Sequence, residues 1–167
     1  MCKPNFLPNI LNLNGSWEHI LNKLYSIFVK DIKKSKLTLN HLPVIYNSKI
    51  LPDGKNKEEG FWHLISRENR RTKERLPDYR RAERLHWIKP LIEHINDKDV
   101  ICFEYDEGSK DKGIRIYIWQ RKMDFLVILG KKKNKYILIT SFYITSKVFR
   151  EDIERKYKNR IKYNDRP

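Results

Sequence analysis

From Val100 onward the apolar residues change their spacing, and this change constrains the fold more than any other feature of the chain. Upstream they recur every three or four positions. Downstream they alternate with polar residues, the period of a strand whose two faces differ. Four segments read this way: 100–105, 113–120, 123–129 and 135–144. The turns between them carry Gly108, residues 111–113, Arg121-Lys122 and residues 130–134. Connections this short join antiparallel neighbours, so the four segments predict a meander.

The rest of the chain is read around that sheet. Ser16 is an N-cap, and Trp17, Ile20, Leu21, Leu24, Ile27, Phe28 and Ile32 predict an amphipathic helix over 17–33. Pro77 and Asp78 announce a second helix, with Tyr79, Ala82, Leu85, Ile88, Leu91, Ile92 and Ile95 as its buried stripe; Pro90 inside it predicts a kink or break near 87–89. Ser146 caps a third, built on Val148, Phe149, Ile153 and Tyr157. Residues 42–45 read as an edge strand, where Pro43 is tolerated. Residues 60–66, GFWHLIS, read as a buried strand or a short turn of helix, with length and aromatics favouring the strand, and 50–60 and 67–76 as loops. Residues 1–15 form an irregular arm, and 161–167 a frayed tail. The class is α+β: one domain over 16–160, a twisted antiparallel sheet of four to five strands packed against N-terminal and central helices.

Composition narrows the function. Thirty-six Lys and Arg against twenty-one Asp and Glu leave a net charge of +15, which attracts polyanions, nucleic acid first. Lysine drift in an AT-rich genome explains scattered lysines but not clustered arginines. No apolar run approaches the ~20 residues a membrane helix needs, and the first fifteen residues lack the apolar core of a signal peptide. Cys2 in the arm and Cys102 in a buried-looking strand predict no disulfide, which suits a reducing cytoplasm. Neither a metal-ligand spacing nor a glycine-rich phosphate loop is present, so no metal and no cofactor are expected.

The stretch GFWHLISRENRRTKERLPDYRRAER, residues 60–84, holds the candidate chemistry. Metal-free RNA cleavage needs a base for the 2′-hydroxyl proton and cations for the charge that builds on phosphate. His63 suits the first task because its pKa lies near working pH. Arg81 and Arg84, with Arg80, suit the second: a guanidinium stays charged and its fork matches two phosphate oxygens. Helical spacing lets Arg80 or Arg81 converge with Arg84 on one anion near a helix N-terminus. Arg70, Arg71, Lys73, Arg75 and Arg80 are expected to track a nucleic-acid backbone. On the last strand, ILITSFYIT, the hydroxyls of Thr140, Ser141 and Tyr143 can orient phosphate or histidine, and alternation exposes one of the first two. His19 and His41 read as surface residues, His86 and His94 as structural or surface ones. The competing readings are a core histidine and a solvated charge run.

In their order, FWHLIS, RRAERLHWI, ICFEYD, the meander and YILITSFYIT resemble the barnase–EndoU–colicin–RelE (BECR) nucleases, most closely the phage-borne branch of that superfamily. The resemblance covers residues 43–145. It implies a metal-independent endoribonuclease that leaves a 2′,3′-cyclic phosphate, with the site on an open sheet face. The family histidine falls on His63, the helix arginines on Arg81 and Arg84, and the last-strand hydroxyl on Thr140 or Ser141 with Tyr143 beside it. Thr140-Ser141-Phe142-Tyr143 departs from the family's threonine–alanine–tyrosine pattern, so the tyrosine register differs. A cytoplasmic toxin or phage effector acting on RNA, transfer RNA included, implies an acidic antitoxin or immunity partner. The alternative is a nucleic-acid-binding module without catalysis, a regulator or degenerate nuclease; a third reading is a protein-interaction domain.

Overall fold

Ser16 accepts a hydrogen bond from the His19 amide, and α1 (Trp17–Phe28) begins there, with Ile20, Leu21, Leu24 and Phe28 turned inward. In this computed structural model, which describes residues 3–69 and 71–163, the helix continues through one wider π turn, Val29–Lys33. The predicted helix over 17–33 is therefore present, with its last turn loosened. Short strands follow: β1 (Thr38–Leu39), β2 (Leu42–Tyr46), and the pair β3 (Ile50–Leu51) and β4 (Lys57–Glu58). The segment read as a loop over 50–60 thus contains a small antiparallel ladder, Ile50 opposite Glu58.

The expected meander is β7 (Val100–Asp106), β8 (Ile114–Gln120), β9 (Phe125–Lys131) and β10 (Tyr136–Tyr143), each antiparallel to the next. The class is α+β as expected. The sheet is larger, six strands in the order β1-β2-β10-β9-β8-β7. β2 is not at the edge: it lies parallel to β10, Val44 to Tyr46 facing Tyr136 to Leu138. Pro43 is accommodated because the pairing with β10 starts one residue later, at Val44.

Alternation on β8 and β9 sorts two apolar clusters onto the two faces. Ile116, Ile118, Phe125, Val127 and Leu129 join the larger cluster under the first helices. Tyr117, Trp119 and Leu126 join Phe103, Ile144 and Ile153, the last on α5 (Lys147–Lys158), which Ser146 caps as expected. Burial on both faces explains why Ile118, Leu126 and Val127 are fully enclosed. Cys102, expected in a buried strand, is exposed. It lies on edge strand β7, on the face opposite Phe103, beyond the reach of the larger cluster.

The centre of the chain departs most from expectation. The helical alternative holds for this run, α2 (Glu59–Ile65), and not the favoured strand; Ser66 begins the next strand. Phe61, Leu64 and Ile65 are buried at i, i+3 and i+4, a pattern that a short apolar run leaves open from sequence alone. The supposed loop over 67–76 is a hairpin, β5 (Ser66–Glu68) on β6 (Arg75–Pro77). The second helix is in three pieces: α3 (Tyr79–Ala82), a 3₁₀ turn Leu85–Trp87, and α4 (Ile88–Glu93). Its break falls at residues 83–84, earlier than expected. Pro90 lies in the first turn of α4, where no intrahelical donor is missed. The break frees the Glu83 carbonyl, which accepts from the Leu11 amide of the docked arm at 2.8 Å. Trp87 adds a second tie, donating to the Pro8 carbonyl at 2.9 Å. Part of the expected frayed tail is also docked: the Ile161 amide donates to the Glu104 carbonyl on β7 at 2.9 Å.

Candidate functional site

The break in the second helix decides where the arginines point. Where α2 gives way to β5, the carbonyls of His63 and Ser66 lose their helical partners. Arg81 takes both. Its Nη1 donates to His63 O at 3.1 Å, Ser66 O at 2.9 Å and Thr140 Oγ1 at 3.4 Å. Thr140 Oγ1 itself donates to His63 O at 3.1 Å. The guanidinium rests on the Phe142 ring, 4.5 Å from its centroid, with Asp78 Oδ2 3.8 Å from Nε. Burial pulls the Arg81 pKa down to about 10, against the opposing pull of Asp78, and the side chain stays charged at neutral pH. Its Nε is buried without a hydrogen-bond partner.

These contacts fold α2, the β5–β6 hairpin and the end of β10 around a cleft of ≈ 250 Å³, lined by His63, Ser66, Arg67, Glu68, Arg75, Arg81, Ile139, Thr140 and Phe142. The cleft opens where β2 has stopped pairing with β10, beyond Leu138. The His63 side chain is 29 % exposed and its Nε2 lies 3.7 Å from Glu59 Oε1, one helical turn back. Its pKa is lowered from the ordinary 6.5, first by burial and then by Arg75 and Arg81, with Glu59 and Glu68 opposing. The ring is therefore mainly neutral at pH 7, the form that accepts a proton. Arg75 reaches Ser66 Oγ at 3.4 Å through Nη1 and Glu68 at 3.9 Å through Nη2.

Several expected site residues lie elsewhere. Arg84 falls outside α3 and does not converge with Arg81: it stacks on Tyr143, 4.1 Å from the ring centroid, and donates to Arg80 O and Glu83. Phe142 and Tyr143 are neighbours on one strand, so the two arginines straddle it. Arg80 is exposed, 5.6 Å from the same tyrosine ring. The Asp78 side chain already occupies the α3 N-terminus by accepting from the Arg81 amide. Ser141 is fully buried, its hydroxyl unpaired. Its side chain faces away from the cleft because the register shifts between Leu138 and Thr140. Arg71 and Lys73 sit exposed at the hairpin tip, and Arg70 lies outside the described residues. His19 and His41 are exposed. His86 Nε2 bonds Asn9 O at 2.6 Å and His94 stacks on Phe6, so both hold the arm.

Sequence reasoning missed Arg67, Ser66 and Phe142. Arg67 and Arg75 are the first and ninth residues of the segment 67–76, which reads as loop from sequence; the hairpin brings its two ends together. Phe142 follows Thr140 by two, the spacing of one strand face, so it was findable. The cleft gathers a mainly neutral imidazole, three arginines, two hydroxyl residues and the carboxylate of Glu68 around one small space. Among the described residues, no three His, Cys, Asp or Glu side chains gather as a metal-binding group; no helix is long and apolar enough to cross a membrane. Comparison with protein-family models, with curated proteins and with solved structures returned no match.

Proposed function

We infer that this protein is a metal-independent endoribonuclease of the kind the BECR resemblance implies. The observation that carries the reading is the shared cleft: His63, Arg75, Arg81 and Thr140, drawn from four elements, line one small space. His63 takes the proton of a 2′-hydroxyl, and the freed oxygen attacks the adjacent phosphorus. Arg75 and Arg81 offset the charge on the phosphorane oxygens. The 5′-oxygen departs, takes a proton from solvent at the open mouth, and leaves a 2′,3′-cyclic phosphate. Thr140 fixes the His63 carbonyl and with it the end of α2. The remaining positive charge holds the RNA strand. Action in a reducing cytoplasm, as a toxin or phage effector with an acidic inhibitor as partner, fits the net charge of +15 and the free thiol of Cys102.

The test is incubation of the full chain with total or transfer RNA in EDTA. Cleavage products ending in a cyclic phosphate are expected, with a loss of at least about 10²-fold in His63→Ala. Arg75→Ala is a better second variant than Arg84→Ala, because Arg84 lies outside the cleft. Full activity in His63→Ala, or a requirement for a divalent ion, overturns the mechanism.

One observation favours a second reading, a binding module without catalysis. All three Arg81 hydrogen bonds run from Nη1 to protein oxygens, so that nitrogen serves the fold rather than a phosphate. That reading predicts RNA binding that weakens steeply with salt and yields no product.

A further inference from the structure

The cleft at His63 is not closed on its sheet side. Ile139, Thr140 and Phe142 line it and also line a second depression of ≈ 410 Å³, whose far wall includes Lys112, Arg115 and Lys156. Three shared residues on one strand set the two hollows side by side, a pair that we call the trough. Its origin is the irregularity in β10: the register with β9 skips Ile139, so Ile139 and Thr140, consecutive in sequence, both reach it. The trough is electropositive. Six Lys and Arg line its two parts against three Asp and Glu.

Arg115 has a seat built for it. It lies on β8 directly opposite Gly130 on β9. A Cβ added at Gly130 would come within 2.5 Å of Arg115 Nη1, with the Ile139 side chain 3.5 Å away. The guanidinium therefore lies across the glycine toward β10, a position that any side chain at 130 would fill. Lys156, in the same trough, is engaged by Glu107 at 2.8 Å and Asp152 at 3.9 Å. Arg115 makes no ion pair among the described residues, and neither does Lys112. A cation held in place by packing, half-buried and without a carboxylate, is suited to a ligand anion. Two strand spacings and two residues along the strand put its Cα roughly 12 Å from that of Thr140.

We propose that Arg115, seated on Gly130, is a phosphate-binding subsite for single-stranded RNA lying along this trough. It grips a backbone phosphate a short way along the strand from the one at His63. The proposal rests on the reading of the cleft as an RNA site and adds to it the path of the chain. Single strands are favoured because the floor between the two hollows is apolar, Ile128, Ile139 and Phe142, which suits bases freed from a duplex. A duplex would meet the trough only with its outer phosphates.

The experiment measures binding of a short labelled single-stranded oligoribonucleotide across a salt series, with the full chain. The same sequence as a duplex, and turnover of a dinucleoside phosphate, serve as comparisons. Arg115→Gln is expected to weaken the single strand by about tenfold and to lower the slope of log affinity against log salt by about 0.7. Gly130→Ala keeps the charge but displaces the guanidinium, and should weaken binding in the same way. The dinucleoside phosphate, too short to reach Arg115, should be turned over unchanged by both variants, and their thermal midpoints should match that of the parent. Unchanged single-strand affinity and salt slope in Arg115→Gln overturns the subsite, even if RNA is cleaved. A loss with Arg115→Gln in a protein that cleaves nothing upholds the subsite and removes the nuclease reading instead. Equal binding of duplex and single strand, with equal loss on Arg115→Gln, overturns the single-strand path.

Discussion

The meander and the stretch from α2 to the 3₁₀ turn are built on different physics. In β8 and β9 the backbone ladder satisfies itself, and side chains from both faces enclose it. Between residues 59 and 87 no element exceeds seven residues, too short to hold its shape alone. Phe61, Leu64, Ile65, Leu85 and Trp87 anchor that stretch on the larger cluster, and a polar tie sets its internal form: one buried guanidinium collects the loose carbonyls of His63 and Ser66 and links them to Thr140. The first region is a stable platform. The second is an assembly whose form depends on a few directed bonds, and the candidate site lies where they meet.

The largest expected effect tests the platform. Phe125 is fully buried and meets the Trp87 ring edge-on at 5.5 Å. Phe125→Ala should cost about 4 kcal/mol through lost contacts and an unfilled cavity. It should lower the urea midpoint of the whole chain as a single transition. Two separate transitions would show that the platform and the central stretch unfold independently, so that the platform does not support the central assembly through Phe125 and Trp87.

A smaller effect should come from Arg81→Met, which preserves bulk but withdraws the donors. Ser66 O loses its partner, while His63 O keeps Thr140. The cost should be about 3 kcal/mol. Amide hydrogen exchange should show it locally: protection falls in α2 and the β5–β6 hairpin and persists in β8 and β9. A uniform loss of protection would mean that Arg81 supports the whole molecule rather than its central assembly.

The same contrast explains what the sequence disclosed. In β8 and β9, covered on both faces, apolar residues run almost unbroken between turn signals, so the meander and its turns can be read directly. The helix over 17–33 was equally legible from its long apolar stripe. GFWHLIS could not be resolved, because seven apolar-rich residues fit a buried strand or a buried helix turn, and only the positions of Phe61, Leu64 and Ile65 against the core decide. Arg84 was grouped with Arg81 on the assumption of one continuous helix. The chain instead breaks at Arg84, whose φ of −113° is not helical, and turns to bury Leu85 and Trp87. Thr140 and Ser141 stay alternatives in the sequence because nothing in ILITSFYIT marks the irregularity at Ile139, which decides the face each takes. His63 and Arg81 meet through backbone carbonyls, and such contacts leave no trace in residue type.

The subtlest prediction concerns how charge is poised around His63 without touching the fold. Burial is the largest cause of its lowered pKa; Arg75 and Arg81 lower it further, while Glu59 and Glu68 raise it. Removing one opposing charge on each side should move the ring in opposite directions. Glu59→Gln should lower the His63 pKa beyond its present value. Arg75→Gln should raise it, though not above 6.5, because burial remains. Ring-proton NMR titration measures both. Stability must follow with a definite sign. A folded pKa below the unfolded one favours the neutral ring, so this contribution is present above pH 6.5 and is lost as pH falls through the folded value. Arg75→Gln should therefore lessen the loss of stability on acidification, and Glu59→Gln should deepen it. If the two variants move the ring in the same direction, His63 senses rearrangement of α2 and not the charges in its cleft. The central assembly would then be too plastic to hold a base and a phosphate in register.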